Sequence, residues 1–98
     1  MISCRYTDRG AQSYLTITGH AGYAPRGYDI VCAGVSALYE SLLHGLGKYE
    51  PGFIPADDGF TLLHPSGIGK AFIENFLDCV KDLETQYPDH IELEIKRD

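Results

Sequence analysis

The chain has 98 residues, 8 basic and 14 acidic, for a formal charge of −6, with 44% apolar and 22% charged side chains. That length and composition suit one folded domain over residues 1–98 around one hydrophobic core, and exclude a disordered chain. The scattered Lys and Arg exclude a nucleic-acid binder, which needs clustered positive charge against phosphate, while an acidic chain favours basic partners.

The opening "MISCRYT" alternates, placing Ile2, Cys4 and Tyr6 on one face of a strand, and "SYLTITG" repeats the β-branched and aromatic bias. The intervening "DRGAQ" reads as a turn, giving a hairpin. Residues 20–29 hold Gly22, Pro25 and Gly27 without periodicity and read as a loop, where function is commonly carried. From Ile30 the spacing of Val31, Val35, Leu38, Leu42 and Leu46 predicts a helix with Asp29 as its N-cap. Gly45 and Gly47 suit its stop, with His44 and Lys48 near the negative end of the dipole.

"GFIPADDGFTLLH" predicts a second hairpin around an Asp-Asp-Gly turn, with Pro55 confining its strand to an edge. Asp57 and Asp58, with Glu50 nearby, read as a solvated acidic tip. A second helix follows, capped near Ser66, with Ile68, Phe72, Phe76, Val80 and Leu83 on one stripe and Pro88 beyond its end. "HIELEIKR" alternates Ile91, Leu93 and Ile95 with charged residues, as a half-buried strand does. The order ββαββαβ predicts an α+β fold, a mostly antiparallel sheet covered by two helices.

The N-terminus lacks the basic segment and apolar run of a signal peptide, and the apolar runs read as too short for a membrane span, so a cytoplasmic protein without a membrane partner is expected. Three widely spaced cysteines form neither a disulfide framework nor a CxxC pair. Cys4 and Cys79 fall at core or near-core positions. His44, His64 and His90 show no HxxxH spacing, so no metal and no cofactor are expected, and "PSGIGK" lacks the spacing of a phosphate loop.

Chemistry concentrates in "GHAGYAPRGYDIVC", Gly19 to Cys32. With Asp29 as N-cap, Cys32 is the third residue of the helix, where the positive end of the dipole favours thiolate, the nucleophilic form. The first-turn N–H groups are also candidates to cradle an oxyanion. His20 follows a strand directly, and a histidine beside a cysteine can take the thiol proton and return it to a leaving amine. Asp29 has two readings, helix cap or orienter of His20, of which the cap is preferred. Ser36, one turn after Cys32, either supports the sulfur or bonds back to the Cys32 carbonyl. Gly34 reads as close packing against the sheet. Buried cysteines mostly behave as small hydrophobes, so spacing alone does not assign catalysis.

The stretch "GHAGYAPRGYDIVCAGVSAL" resembles the signature of the ribosomal-processing cysteine protease family, in which a GHA segment and a DIVCAGxSA segment bracket a variable loop. The resemblance implies a cysteine endopeptidase that removes the N-terminal extension of a basic large-subunit ribosomal protein, number twenty-seven, with Cys32 as nucleophile and His20 as general base. It places Asp29 and Ser36 near the site and Gly19 beside the histidine, in reach of an oxyanion pocket. Gly22, Tyr23 and Gly27 then belong to a loop that contacts or covers substrate, ordering as a lid over an extended peptide. A homodimer is implied as well. Two other readings share the motif: a related protease acting on a phage capsid or scaffold precursor, and a peptide-binding module with an inert thiol.

Overall fold

The computed structural model describes residues 1–98, and the elements follow the expected order: β1 (Ile2–Asp8), β2 (Gln12–Thr18), α1 (Ile30–Tyr49), β3 (Phe53–Ala56), β4 (Gly59–Leu63), α2 (Gly67–Gln86) and β5 (Ile91–Arg97). They build a five-stranded sheet in the order β3-β4-β2-β1-β5. Three strand pairs are antiparallel, and β5 alone joins in parallel, alongside β1. Pro55 lies on the edge strand β3, where a missing N–H breaks no ladder.

Register decides which face is covered. Cys4 stands opposite Ile17 on β2 and Leu93 on β5, while the next row sets Arg5 against Thr16 and Glu94, with an Arg5–Glu94 ion pair at 3.6 Å. Ile2, Cys4, Tyr6, Leu15, Phe60 and Leu62 thus face the helices, and α1 and α2 meet them with Val31, Val35, Leu42 and Leu46, and with Ile73, Phe76, Leu77 and Val80. The other face carries Arg5, Thr16, Glu92, Glu94 and Lys96 in the open, with Tyr14 and Ile54 exposed beside them.

Several local expectations give way to packing. Gly45 and Gly47 do not end α1, which runs on to Tyr49; a Cβ at Gly45 would press to 3.1 Å on the Phe72 ring, so this glycine serves the contact between the two helices. Ile68 is not on the buried stripe of α2 but in its first turn, 52% exposed. On β5 burial ends early: Ile91 is 1% exposed but Ile95 is 42%, although Arg97 farther along still reaches Glu74 of α2. By length and apolarity α1 is, against expectation, sufficient to cross a membrane; here its stripe of Val31, Val35, Leu42 and Leu46 is buried in the core.

Glu50 is not part of a solvated acidic tip. It is 6% exposed and accepts from the Ser66 amide at 2.8 Å and the Ser66 hydroxyl at 3.0 Å. Ser66 makes no side-chain cap of its own, so Glu50, the C-cap of α1, serves the start of α2 from outside. Gly69 leaves the room: a Cβ there would overlap the Glu50 carboxylate.

Candidate functional site

Three chain segments converge below the start of α1: the end of β2, the first turn of α1 and the start of β5. Gly19 makes the exit from β2 possible. Its φ is +85°, and a Cβ would overlap the Met1 carbonyl oxygen, so only glycine passes here without displacing the backbone. The chain then delivers His20 and Ala21 to the helix terminus. Gly22 and Gly27, both at positive φ, turn the loop that returns to Asp29.

Asp29 organises the first turn. Its Oδ1 accepts from the amides of Val31 at 3.0 Å and Cys32 at 2.9 Å, and its Oδ2 accepts from the Tyr23 amide at 3.1 Å. The Cys32 amide is the main cause holding this carboxyl below the usual carboxylate range; the Tyr23, Ala24 and Val31 amides add to the effect, against some desolvation. The residue is therefore cap and loop clamp together, and none of its hydrogen bonds goes to His20. It also occupies the second and third amides of the helix, which for that reason are not the free oxyanion donors expected from the sequence.

The donor on the sulfur comes from elsewhere. The Ala21 amide donates to Cys32 Sγ at 3.2 Å, an interaction that strengthens with negative charge on sulfur. Ala21 itself is 2% exposed, its methyl in the core. Its carbonyl accepts from His90 Nδ1 at 2.8 Å. Neither Ala21 nor His90 is singled out by sequence pattern, because a small residue in a loop and a histidine 69 positions downstream of it carry no local signal.

Cys32, His20, Asp29 and Ser36 line one open groove of about 690 Å³, and Arg26 is the cation on its wall. Cys32 is half-buried and His20 exposed. No hydrogen bond joins His20 to Cys32, and Ser36 bonds neither to the Cys32 sulfur nor back to its carbonyl, leaving its hydroxyl free toward the groove. Tyr23 stands outside the groove, its ring edge-on to Tyr87 and His90 at 5.4 and 5.3 Å. Gly19 does not line the groove either; its backbone role suffices to explain it.

The other thiols are set apart. Cys4 is 1% exposed, and burial pushes its thiol up to about 12. Cys79 is half-buried on α2, and no cysteine is in a disulfide. No group of three or more His, Cys, Asp or Glu side chains is placed to hold a metal ion.

Residues 1–92 match the family described as cysteine protease Prp. The ribosomal processing cysteine protease Prp of Bacillus subtilis (strain 168) is 31% identical over 99 residues, covering 89% of this chain and 88% of its own. Among solved structures, an essential ribosomal processing protease Prp from S. aureus, in complex with a covalently linked product peptide, superposes with a TM-score of 0.77 at 22% identity over 98% of this chain and 100% of that one. The protein SMU.848 from Streptococcus mutans superposes at 0.66, with 26% identity over 100% and 96%.

Proposed function

The chain belongs to the cysteine protease Prp family and is a cysteine protease, and from that premise we propose that it removes the N-terminal extension of a basic large-subunit ribosomal protein, number twenty-seven. One observation carries the catalytic assignment: of three cysteines, Cys32 alone lies in an open groove with a histidine and takes a backbone N–H on its sulfur. A net charge of −6 favours a basic peptide as substrate.

In this reading His20 takes the Cys32 proton once a bound peptide closes the groove and brings the two into hydrogen-bond reach. The thiolate adds to the scissile carbonyl, and the tetrahedral intermediate collapses as His20 protonates the departing amine. Water then attacks the thioester with His20 as base, releasing the acid and restoring the thiol. Asp29 keeps the helix start in place and ties the loop to it at Tyr23, so the stretch after Tyr23, turned at Gly27, is the part left to move over the peptide. Ser36, on the groove wall, meets the substrate or the sulfur. The chemistry requires a reduced thiol, in accord with a cytoplasmic enzyme, and the assembly implied by the family is a homodimer, which light scattering reads directly.

Incubation with the extended ribosomal protein, followed by intact-mass spectrometry, tests the proposal. The expected result is one cut near the substrate N-terminus, lost in both Cys32→Ala and His20→Ala. Cleavage that persists in Cys32→Ala removes the proposed nucleophile. A chain that leaves this substrate whole but cuts a phage capsid precursor keeps the dyad and refutes the substrate.

A further inference from the structure

We propose that His90 is a positioning residue for this site, acting through Ala21 on both Cys32 and His20 while touching neither reacting atom. The inference rests on Cys32 as the nucleophile and adds a residue from the far end of the chain to its machinery. His90 is fixed by its backbone: its amide donates to the Tyr87 carbonyl at 2.9 Å, and its carbonyl accepts from the Ile2 amide at 2.9 Å. Its ring is fixed by Tyr23, packed edge-on at 5.3 Å with 80° between planes.

From that mount, Nδ1 lies 2.8 Å from the Ala21 carbonyl oxygen. A carbonyl only accepts, so Nδ1 carries the proton and donates. Ala21 is then held at three points, its methyl in the core, its carbonyl on His90 and its amide on Cys32 Sγ at 3.2 Å. Without the imidazole N–H, the carbonyl of a residue only 2% exposed loses its partner and must turn to find another, since an unpaired buried acceptor is costly. The carbonyl and the amide lie in the two peptide planes that meet at the Ala21 Cα, so a shift of that Cα with the carbonyl takes the amide off the sulfur and moves His20, the adjacent residue. One hydrogen bond thus sets the donor on the nucleophile and the backbone of the base.

The test compares His90→Phe, His90→Asn and His90→Gln. Phenylalanine keeps a ring against Tyr23 without the N–H. The asparagine amide reaches the place of Nδ1, whereas the glutamine amide reaches that of Nε2. Two rates are read: alkylation of Cys32 by iodoacetamide, which needs no substrate, and cleavage with kcat and KM resolved.

His90→Phe is expected to lose about tenfold in both the alkylation rate and kcat, the equivalent of one hydrogen bond, with KM nearly unchanged. Asn is expected to recover most of the loss and Gln little. Wild-type rates in His90→Phe, or equal rates in Asn and Gln, overturn the proposal; if the Phe variant does not fold, the Asn and Gln pair still decides. Slower alkylation in a protein whose wild type cuts no ribosomal precursor sinks the substrate assignment and leaves the positioning role standing. Cleavage by the wild type and all three variants at one rate does the reverse.

Discussion

Thiol chemistry separates the three cysteines by amounts that follow from their surroundings. At pH 7.5 a thiol with the pKa of about 12 given to Cys4 by burial is ionised to roughly 3 parts in 100,000, against about 3 parts in 100 for a thiol at the ordinary 9.0. Thiolate supply alone therefore slows Cys4 by roughly 1,000-fold relative to a model thiol, and its 1% exposure slows it further. Cys32 is accessible instead, on the wall of an open groove with the Ala21 amide on its sulfur. Limited iodoacetamide at pH 7.5, quenched over time and mapped by peptide mass spectrometry, is expected to label Cys32 first, Cys79 later and Cys4 only after unfolding. In guanidinium chloride the three should label at similar rates, since a denatured chain gives them similar surroundings. Native labelling of Cys4 within tenfold of Cys32 would refute the reasoning, because it requires a core open enough for the reagent.

Alkali should weaken the fold through the same residue. The pKa of Cys4 is higher in the folded protein than its ordinary 9.0, so its contribution is whole below pH 9 and is lost as pH rises toward 12, by about 4 kcal/mol at most. Tyr6 and Tyr39, raised chiefly by desolvation, act in the same direction above the ordinary tyrosine range; urea titrations from pH 8 to 11 should show the decline, and Cys4→Ala should flatten its first part. Gly19→Ala keeps every backbone donor but forces a side chain into φ +85° against the Met1 carbonyl, and is expected to cost at least about 1–2 kcal/mol and to slow Cys32 alkylation. An unchanged urea midpoint and labelling rate would show that the backbone can yield there. Glu50→Ala strips the Ser66 amide of its partner in a buried position and should cost about 2 kcal/mol in chemical denaturation without altering Cys32 labelling.

What was legible in advance was whatever depends on neighbours in the chain. The alternation of Ile2, Cys4 and Tyr6 and the spacing of Val31, Val35, Leu42 and Leu46 report burial directly, because one face of a strand or helix meets the core. Asp29 as cap, and hence Cys32 in the first helical turn, follow from the same local rules. The departures have two causes: Gly45 and Glu50 obey a tertiary neighbour rather than a propensity, whereas Ile68 and Ile95 lack the cover that periodicity assigns them and Gly34 has open space where close packing was expected. Gly45 reads as a stop until Phe72 is set against it, and Glu50 reads as solvated until Ser66 and Gly69 close over it.

The sequence by itself determined the seven elements, their order and the placing of a cysteine at a helix start, since periodicity and capping act over a few residues. Only the tertiary structure decided what surrounds that cysteine. The parallel addition of β5 beside β1 carries His90 back to Ala21, across 69 positions of chain. The end of β2 brings the Ala21 amide onto the sulfur and His20 to the groove, while Asp29 fills the helix amides that local reasoning had left free. Contacts at such separation are set by strand order and by the packing of one face on another, and no short window of the chain contains them.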